Sequence, residues 1–167
     1  MKLKKISTDV SNPHHFQDLY LKSLLAKDAL YVLSQSSGIF SFNINDLSIN
    51  WNYSSNSVPT SYPVSNEFNI YYLTIDKKIH LINKRTGNIL WEKVIDSNSI
   101  PLTLAIMNNY LFVGLTKGDI LIYNSVNGSY IDKIPVGSGL SSDIVTYDNK
   151  LIFVSNIGNL YSVLIRQ

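Results

Sequence analysis

Apolar residues occur along the chain in short runs separated by polar turns, and the whole arrangement recurs several times. Four apolar runs occupy equivalent positions, beginning at Leu30, Ile70, Leu111 and Leu151. A second run begins nine residues after each of these, at Ile39, Ile79, Ile120 and Leu160. Successive copies are separated by a nearly constant step of about 40 residues, which indicates one structural unit repeated about four times.

The first two runs of each copy are almost continuously apolar, for example at 30–33 and 120–123. A strand with one face in water alternates apolar and polar residues, whereas continuous runs favour strands covered on both faces. A third run follows a polar turn, and a further apolar segment precedes each copy, at 20–25, 61–64, 101–106 and 144–147. Four antiparallel strands in about 40 residues are typical of a propeller blade. We therefore predict an all-β fold, a β-propeller of about four four-stranded antiparallel blades.

The predicted organisation is an N-terminal segment over 1–18 followed by propeller blades over 19–167. The repeat boundaries are expected near 19–57, 58–98, 99–136 and 137–167. The fourth copy stops where its outermost strand should begin, and "LKKIS" at 3–7 resembles "WEKVI" at 91–95. Residues 3–7 could therefore close the last blade of a four-bladed ring, or of an eight-bladed ring made by two chains. Alternatively, the chain is half of a larger propeller, and its open ends then pair with other surfaces.

Glycine and asparagine occupy repeated turn positions. The turn between the first two runs contains Gly118 and Gly158, and the next turn contains Gly87 and Gly128. Glycine adopts a positive φ at little steric cost, so these residues are predicted to shape the turns. The second of these turns is preceded by Asn43, Asn83 and Asn124.

Composition adds mainly exclusions. The chain has 45% apolar and 16% charged residues, a globular balance, and its net charge is +2. Its lysines are scattered rather than clustered, so nucleic-acid binding is not expected. It has no cysteine, which removes disulfides and thiolate chemistry. The basic start at 2–5 lacks the apolar core of a signal peptide, and no window is long enough for a transmembrane segment.

Candidate chemistry along the chain is sparse. Adjacent side chains point apart in an extended segment, so His14 and His15 without a third ligand do not predict a metal site. His80 shares its repeat position with Phe40, Leu121 and Tyr161, and is therefore predicted to fill a blade interface. Turns are expected to contain Asp76, Asp119, Asp132, Asp143 and Asp148. Lys84 and Arg85 are predicted at a solvated hairpin tip, with a protein partner as the alternative role. No catalytic, cofactor-binding or metal-ligating residue is predicted.

The segment "KKIHLINKRTGNILWEK" (77–93) combines an apolar strand, an Asn, a Thr-Gly turn and an apolar pair followed by Trp. This pattern resembles the repeat of quinoprotein-type (PQQ-like) β-propellers. "KGDILIYNSVNGSYIDK" (117–133) follows it without the Trp. The resemblance implies that Trp51 and Trp91 begin outermost strands and pack into the joint with a neighbouring blade. Asp132 stands at the matching position of the third copy, so that joint must be made differently.

The resemblance implies two functional classes. Periplasmic, outer-membrane-associated lipoproteins of this family are non-enzymatic scaffolds of the β-barrel assembly machinery, which implies a protein partner, the barrel-forming subunit, and no cofactor. The lipid-bearing cysteine of these proteins is absent from this chain. The alternative is a domain or remnant of a PQQ-dependent dehydrogenase, whose relatives bind a quinone and Ca²⁺ and commonly have a vicinal cysteine pair that this chain lacks. An orphan propeller domain with an unknown partner is a third interpretation.

Overall fold

The computed structural model describes residues 19–35 and 38–166. The predicted strand at 3–7 and the pair His14 and His15 lie outside the described residues. Within the described residues, fifteen strands form four antiparallel sheets and there is no helix. Accordingly, no helix in this part is long and apolar enough to cross a membrane.

Each sheet corresponds to one copy of the repeat and is called a blade. Blade 1 contains β1 (Leu19–Leu25), β2 (Ala29–Ser34), β3 (Gly38–Asn43) and β4 (Ile49–Tyr53). Blade 2 contains β5 (Val64–Ser65), β6 (Asn69–Leu73), β7 (Lys78–Asn83) and β8 (Ile89–Val94). Blade 3 contains β9 (Pro101–Met107), β10 (Tyr110–Leu115), β11 (Asp119–Asn124) and β12 (Tyr130–Pro135). Blade 4 contains β13 (Val145–Tyr147), β14 (Lys150–Val154) and β15 (Leu160–Leu164).

The strands of every blade are hydrogen-bonded in sequence order. The prediction of an all-β fold made of propeller-type antiparallel blades is confirmed. Three blades have four strands, and blade 4 has three among the described residues. Two details of the prediction were wrong. Asp119 and Asp132 lie in β11 and β12 rather than in turns, and β5 contains only the two residues Val64–Ser65.

The apolar core lies between the blades rather than inside one large sheet sandwich. One cluster joins blades 1 and 2, a second joins blades 2 and 3, and a third joins blades 3 and 4. The middle strands are buried on both faces because each blade is covered by its neighbours. This two-sided burial explains why their sequences do not alternate. Among the described residues, no core cluster joins blade 4 to blade 1.

The repeated asparagine organises the turn between the third and fourth strands of a blade. The side-chain oxygen of Asn83 accepts hydrogen bonds from the backbone N–H groups of Arg85 and Thr86 at 3.0 Å. Asn43 and Asn124 cap their turns in the same way. Because an Asn side chain can replace a backbone acceptor within a tight turn, the residue recurs at this position.

Candidate functional site

Trp51 and Trp91 each connect the outermost strand of one blade to a turn of the next blade. The indole Nε1 of Trp51 donates a hydrogen bond to the carbonyl oxygen of Lys84 at 2.9 Å. Trp91 makes the same bond to the carbonyl oxygen of Val126, also at 2.9 Å. Each bond fixes the position of a turn in the following blade relative to the blade that carries the Trp.

The glycines of these turns lie directly against the indole rings. A Cβ atom built on Gly87, which has φ +72°, would stand 2.6 Å from the ring of Trp51. A Cβ atom on Gly128, with φ +69°, would stand 3.2 Å from the ring of Trp91. A side chain at Gly87 would therefore overlap the ring of Trp51, whereas one at Gly128 would make a tight contact with the ring of Trp91.

The other two predicted glycines have a different environment. Gly118 and Gly158 lie in the turns between the second and third strands, with φ +98° and +83°. A Cβ atom on either would meet no atom within 4 Å, so these positions are constrained by backbone conformation and not by packing. At the joint between blades 3 and 4, Asp132 stands where the other blades have a Trp. The apolar cluster of this joint includes Ile134 and Val136, which follow Asp132 in the sequence.

Lys84 and Arg85 border a groove at the joint between blades 1 and 2. The groove has a volume of about 570 Å³. It is lined by Ala26, Lys27, Asp28, Ala29, Tyr31, Glu67, Lys84 and Arg85. We call it the joint groove. It brings together the first turn of blade 1, the first turn of blade 2 and the Trp-bonded turn of blade 2.

The walls of the joint groove are held by hydrogen bonds around Lys84. Its backbone N–H donates to the carbonyl oxygen of Phe68 at 2.9 Å, and its Nζ donates to the carbonyl oxygen of Asn66. Lys84 is therefore half-buried and fixed, while Arg85 is exposed, so only Arg85 matches the predicted solvated tip. Burial lowers the pKa of Lys84, and nearby Glu67 opposes the shift.

The joint groove carries both charged and apolar groups. The groove is lined by the basic residues Lys27, Lys84 and Arg85. Their positive charge is balanced in part by the carboxylates of Asp28 and Glu67. Leu25 and Phe68, adjacent in sequence to lining residues, are 64% and 65% exposed. Exposed aromatic and Arg side chains, here Phe68 and Arg85, are enriched in surfaces that bind proteins.

His80 occupies the same joint and is 2% exposed. Its Nδ1 lies 2.9 Å from Oε1 of Glu92, without well-aligned hydrogen-bond geometry. Its Nε2 lies 3.1 Å from the hydroxyl oxygen of Thr74. The imidazole stacks on Tyr72 with the ring centres 4.6 Å apart. Burial lowers the pKa of His80, and this effect exceeds the opposing influence of Glu92 and Asp76.

A polar cleft of about 350 Å³ opens beside His80. The hydroxyl of Tyr53 donates to Oε1 of Glu92 at 3.0 Å, and burial together with Glu92 raises the pKa of Tyr53 to about 12. Ser57 donates to Asp76 at 2.6 Å. Partial burial opposes ionisation of Asp76, but hydrogen bonds from Ser57, Thr74 and Lys78 lower its pKa overall.

Sequence reasoning placed His80 in a blade interface but missed Tyr53, Thr74 and Glu92 as its surroundings. The repeat alignment offered one signal, because Glu92 corresponds to Lys133 and His80 to Leu121 in the next blade. His80 and Glu92 are cross-strand neighbours, and so are Leu121 and Lys133. Directly opposite residues on one face of a sheet interact, so the strand register was the signal that could have identified Glu92 as a neighbour of His80.

The side chains that could hold a metal ion are dispersed. Across 19–35 and 38–166, no group of three or more His, Cys, Asp or Glu side chains is arranged to hold a metal ion. We derive no chemical step through Ca²⁺ or a quinone.

No protein-family model matches the chain, and no curated protein matches it by sequence. Solved structures match it by shape. The computationally designed Ika4 protein aligns with a TM-score of 0.78 at 14% identity, covering 96% of this chain and 100% of that one. BamB from Moraxella catarrhalis aligns with a TM-score of 0.63 at 16% identity, covering 84% of this chain and 46% of BamB. A europium-containing methanol dehydrogenase aligns with a TM-score of 0.57 at 17% identity, covering 68% of this chain and 24% of the dehydrogenase.

The chain thus matches the full length of one designed protein but spans less than half of BamB and about a quarter of the dehydrogenase. Identities this low establish architecture and leave activity open. The protein has an all-β fold of propeller blades, which it shares with BamB, the methanol dehydrogenase and a quinohemoprotein alcohol dehydrogenase.

Proposed function

We propose that the protein is a non-enzymatic scaffold that binds a protein partner through the joint groove. The observation that carries the proposal is the fixed position of Lys84, held between Trp51, Phe68 and Asn66. A binding surface whose parts are already ordered loses little conformational entropy when the partner arrives. Loops on a rigid scaffold are also the usual carriers of recognition.

We further propose that the partner is a subunit of the machinery that assembles outer-membrane β-barrels, which places the protein in the periplasm at the outer membrane. The likeness to BamB supports this part of the proposal at the level of fold. The mixed charges of the joint groove, and the exposed Phe68 next in sequence to its lining residue Glu67, suit a partner that presents an acidic residue beside an apolar one.

The proposal is tested by isothermal titration of the protein with the periplasmic domains of the barrel-forming subunit. The double variant Phe68→Ser/Arg85→Glu should weaken binding at least about 10-fold, since exposed aromatic and Arg side chains are typical binding hot spots. The matched control is Ile75→Ser/Lys117→Glu, which alters an exposed apolar and an exposed basic residue in other turns. Equal affinity of both variants, or no binding by the wild-type protein, would contradict the proposal.

The alternative function, a domain of a PQQ-dependent dehydrogenase, predicts a different result. Titration with the quinone and Ca²⁺ would then give saturable binding with a change in quinone absorbance, and dye reduction by alcohols. The scaffold proposal predicts neither. A protein that binds neither the quinone nor the barrel-assembly domains would be assigned to the third interpretation, a propeller domain with another partner.

A further inference from the structure

The face of blade 4 that points away from blade 3 is apolar and exposed. Four of its large side chains are between 52% and 73% exposed: Val145, Tyr147, Leu160 and Leu164. Strand register places Ile152, Val154 and Ser162 on the same face, since Val145 pairs with Ile152, Ile152 with Ser162 and Val154 with Leu160. These seven residues define the blade-4 face. Contiguous exposed apolar surface of this kind marks an interaction site.

The equivalent face is fully covered elsewhere in the molecule. Tyr71, Leu73 and Ile79 of blade 2 stand at the repeat positions of Ile152, Val154 and Leu160. All three are 0% exposed because blade 3 packs on them. The blade-4 face therefore continues the pattern of the blade joints, and its chemistry is that of a surface covered by another sheet.

The opposite end of the array differs. The outward face of blade 1 contains Phe40 and Phe42, which are 6% and 3% exposed. The outward face of blade 1 is therefore already covered. In a second copy of the chain, the exposed apolar sheet surface is again the blade-4 face. We propose that the blade-4 faces of two copies pack against each other about a two-fold axis, which gives a self-complementary dimer.

The charge distribution on the face agrees with this arrangement. Lys150 is the charged residue that shares the face, and it pairs with Tyr147 and Leu164 at one end of the strands. Packing with the strands antiparallel places the two copies of Lys150 at opposite ends of the interface. Like charges are then kept apart, and apolar side chains meet in the centre.

The size of the face determines the strength of the dimer. β14 and β15 have five residues each and β13 has three, so the face covers at most about 17 Å by about 14 Å. An interface of this size lies at the low end for specific complexes, below about 1,200 Å² in total. The dimer is therefore weak and depends on concentration. The inference concerns a different surface from the joint groove and does not rest on the proposed function.

Sedimentation velocity at protein concentrations from about 5 to about 500 µM tests the dimer, because this range spans the dissociation constants expected for a weak interface. The wild-type mass should rise from 18.8 kDa towards twice that value. Leu160→Lys should remain a monomer over the whole range, while Leu90→Lys, at an exposed apolar residue of blade 2, should behave like wild type. A wild-type mass that stays at the monomer value throughout, or equal association by Leu160→Lys, would overturn the inference.

Cross-linking tests the symmetry. The chain has no cysteine, so Ile152→Cys introduces a single thiol on β14, the middle strand of the blade-4 face. Mild oxidation should yield a covalent dimer from this variant and much less from Asn127→Cys, a thiol in an exposed turn of blade 3. Equal cross-linking of the two variants would contradict two-fold packing through this face, and titration with the barrel-assembly domains would still report on the joint groove.

Discussion

The indole ring of Trp51 lies 2.6 Å from the point where a Cβ atom of Gly87 would stand, so each residue determines what the other position accepts. Trp91 and Gly128 repeat the relationship one blade later. In blade 1 the same turn position is occupied by Leu47 at φ +62°, a conformation that a side chain rarely adopts. Glycine is thus found at this position where a Trp of the preceding blade packs on the turn.

The Gly87→Ala substitution should lower the free energy of unfolding by about 2–4 kcal/mol, because it adds a clash with Trp51 to the strain of a positive φ. Gly128→Ala is the matched control, since its φ is nearly the same but its distance from the ring of Trp91 is 3.2 Å. We expect it to cost about 1–2 kcal/mol. Urea unfolding of both variants measures the difference, and equal losses would show that ring packing does not select the glycine.

Trp51→Phe should weaken partner binding as well as stability. The substitution removes the hydrogen bond to the carbonyl of Lys84 and releases one wall of the joint groove. Trp91→Phe removes the equivalent bond to Val126, which does not line that groove. Both should lose about 1–3 kcal/mol of stability, but only Trp51→Phe should weaken binding in the titration. Loss of affinity in both variants would show that binding depends on the general stability of the propeller and not on the wall of the joint groove that Trp51 holds.

Tyr71→Phe should destabilise the joint between blades 2 and 3. The buried hydroxyl of Tyr71 donates a hydrogen bond to the carbonyl of Ser125 at 3.1 Å and accepts one from Asn66. Its removal leaves a buried carbonyl without this donor, which costs about 1–2 kcal/mol. Tyr130→Phe, at an exposed tyrosine, should stay within about 0.5 kcal/mol of wild type. Thermal or urea unfolding compares the two.

Acid should weaken the protein through His80. Its pKa in the folded state is lowered from 6.5, mainly by burial, so the unfolded chain binds this proton more readily. The stabilising contribution is complete above pH 6.5 and is lost as the pH falls towards the folded-state pKa. A tenfold difference in proton affinity between the two states corresponds to about 1.4 kcal/mol. Urea unfolding between about pH 7.5 and about pH 5.5 should show this decline.

His80→Leu provides the control for the acid effect, because Leu121 occupies the same repeat position in blade 3. The variant should show a flatter dependence of stability on pH in the same range. Glu92, Asp76 and Lys78 surround the imidazole and remain present in the variant. A pH profile parallel to that of wild type would assign the decline to these groups instead.

The repeat made the blades predictable from sequence, because burial on both faces leaves continuous apolar runs and the turns repeat Asn and Gly. The two-residue strand β5 could not be read in this way, since it pairs with β6 only through Val64 and Ser65 and has no continuous apolar run of its own. The joint groove itself was not predicted, and of its lining residues the sequence singled out only Lys84 and Arg85, as a hairpin tip with contact to a partner as the alternative role. Its other walls come from turns far away in the sequence, and only the packing of blade 1 on blade 2 brings Asp28 and Glu67 to the same place.

Hydrogen–deuterium exchange of the protein with the barrel-assembly domains is the most direct test of the central claim, that the rigid joint between blades 1 and 2 is the binding surface. The account predicts new protection confined to the walls of the joint groove, at 25–29, 66–68 and 84–86. Protection confined to other turns, with these three segments exchanging as in the free protein, would contradict it.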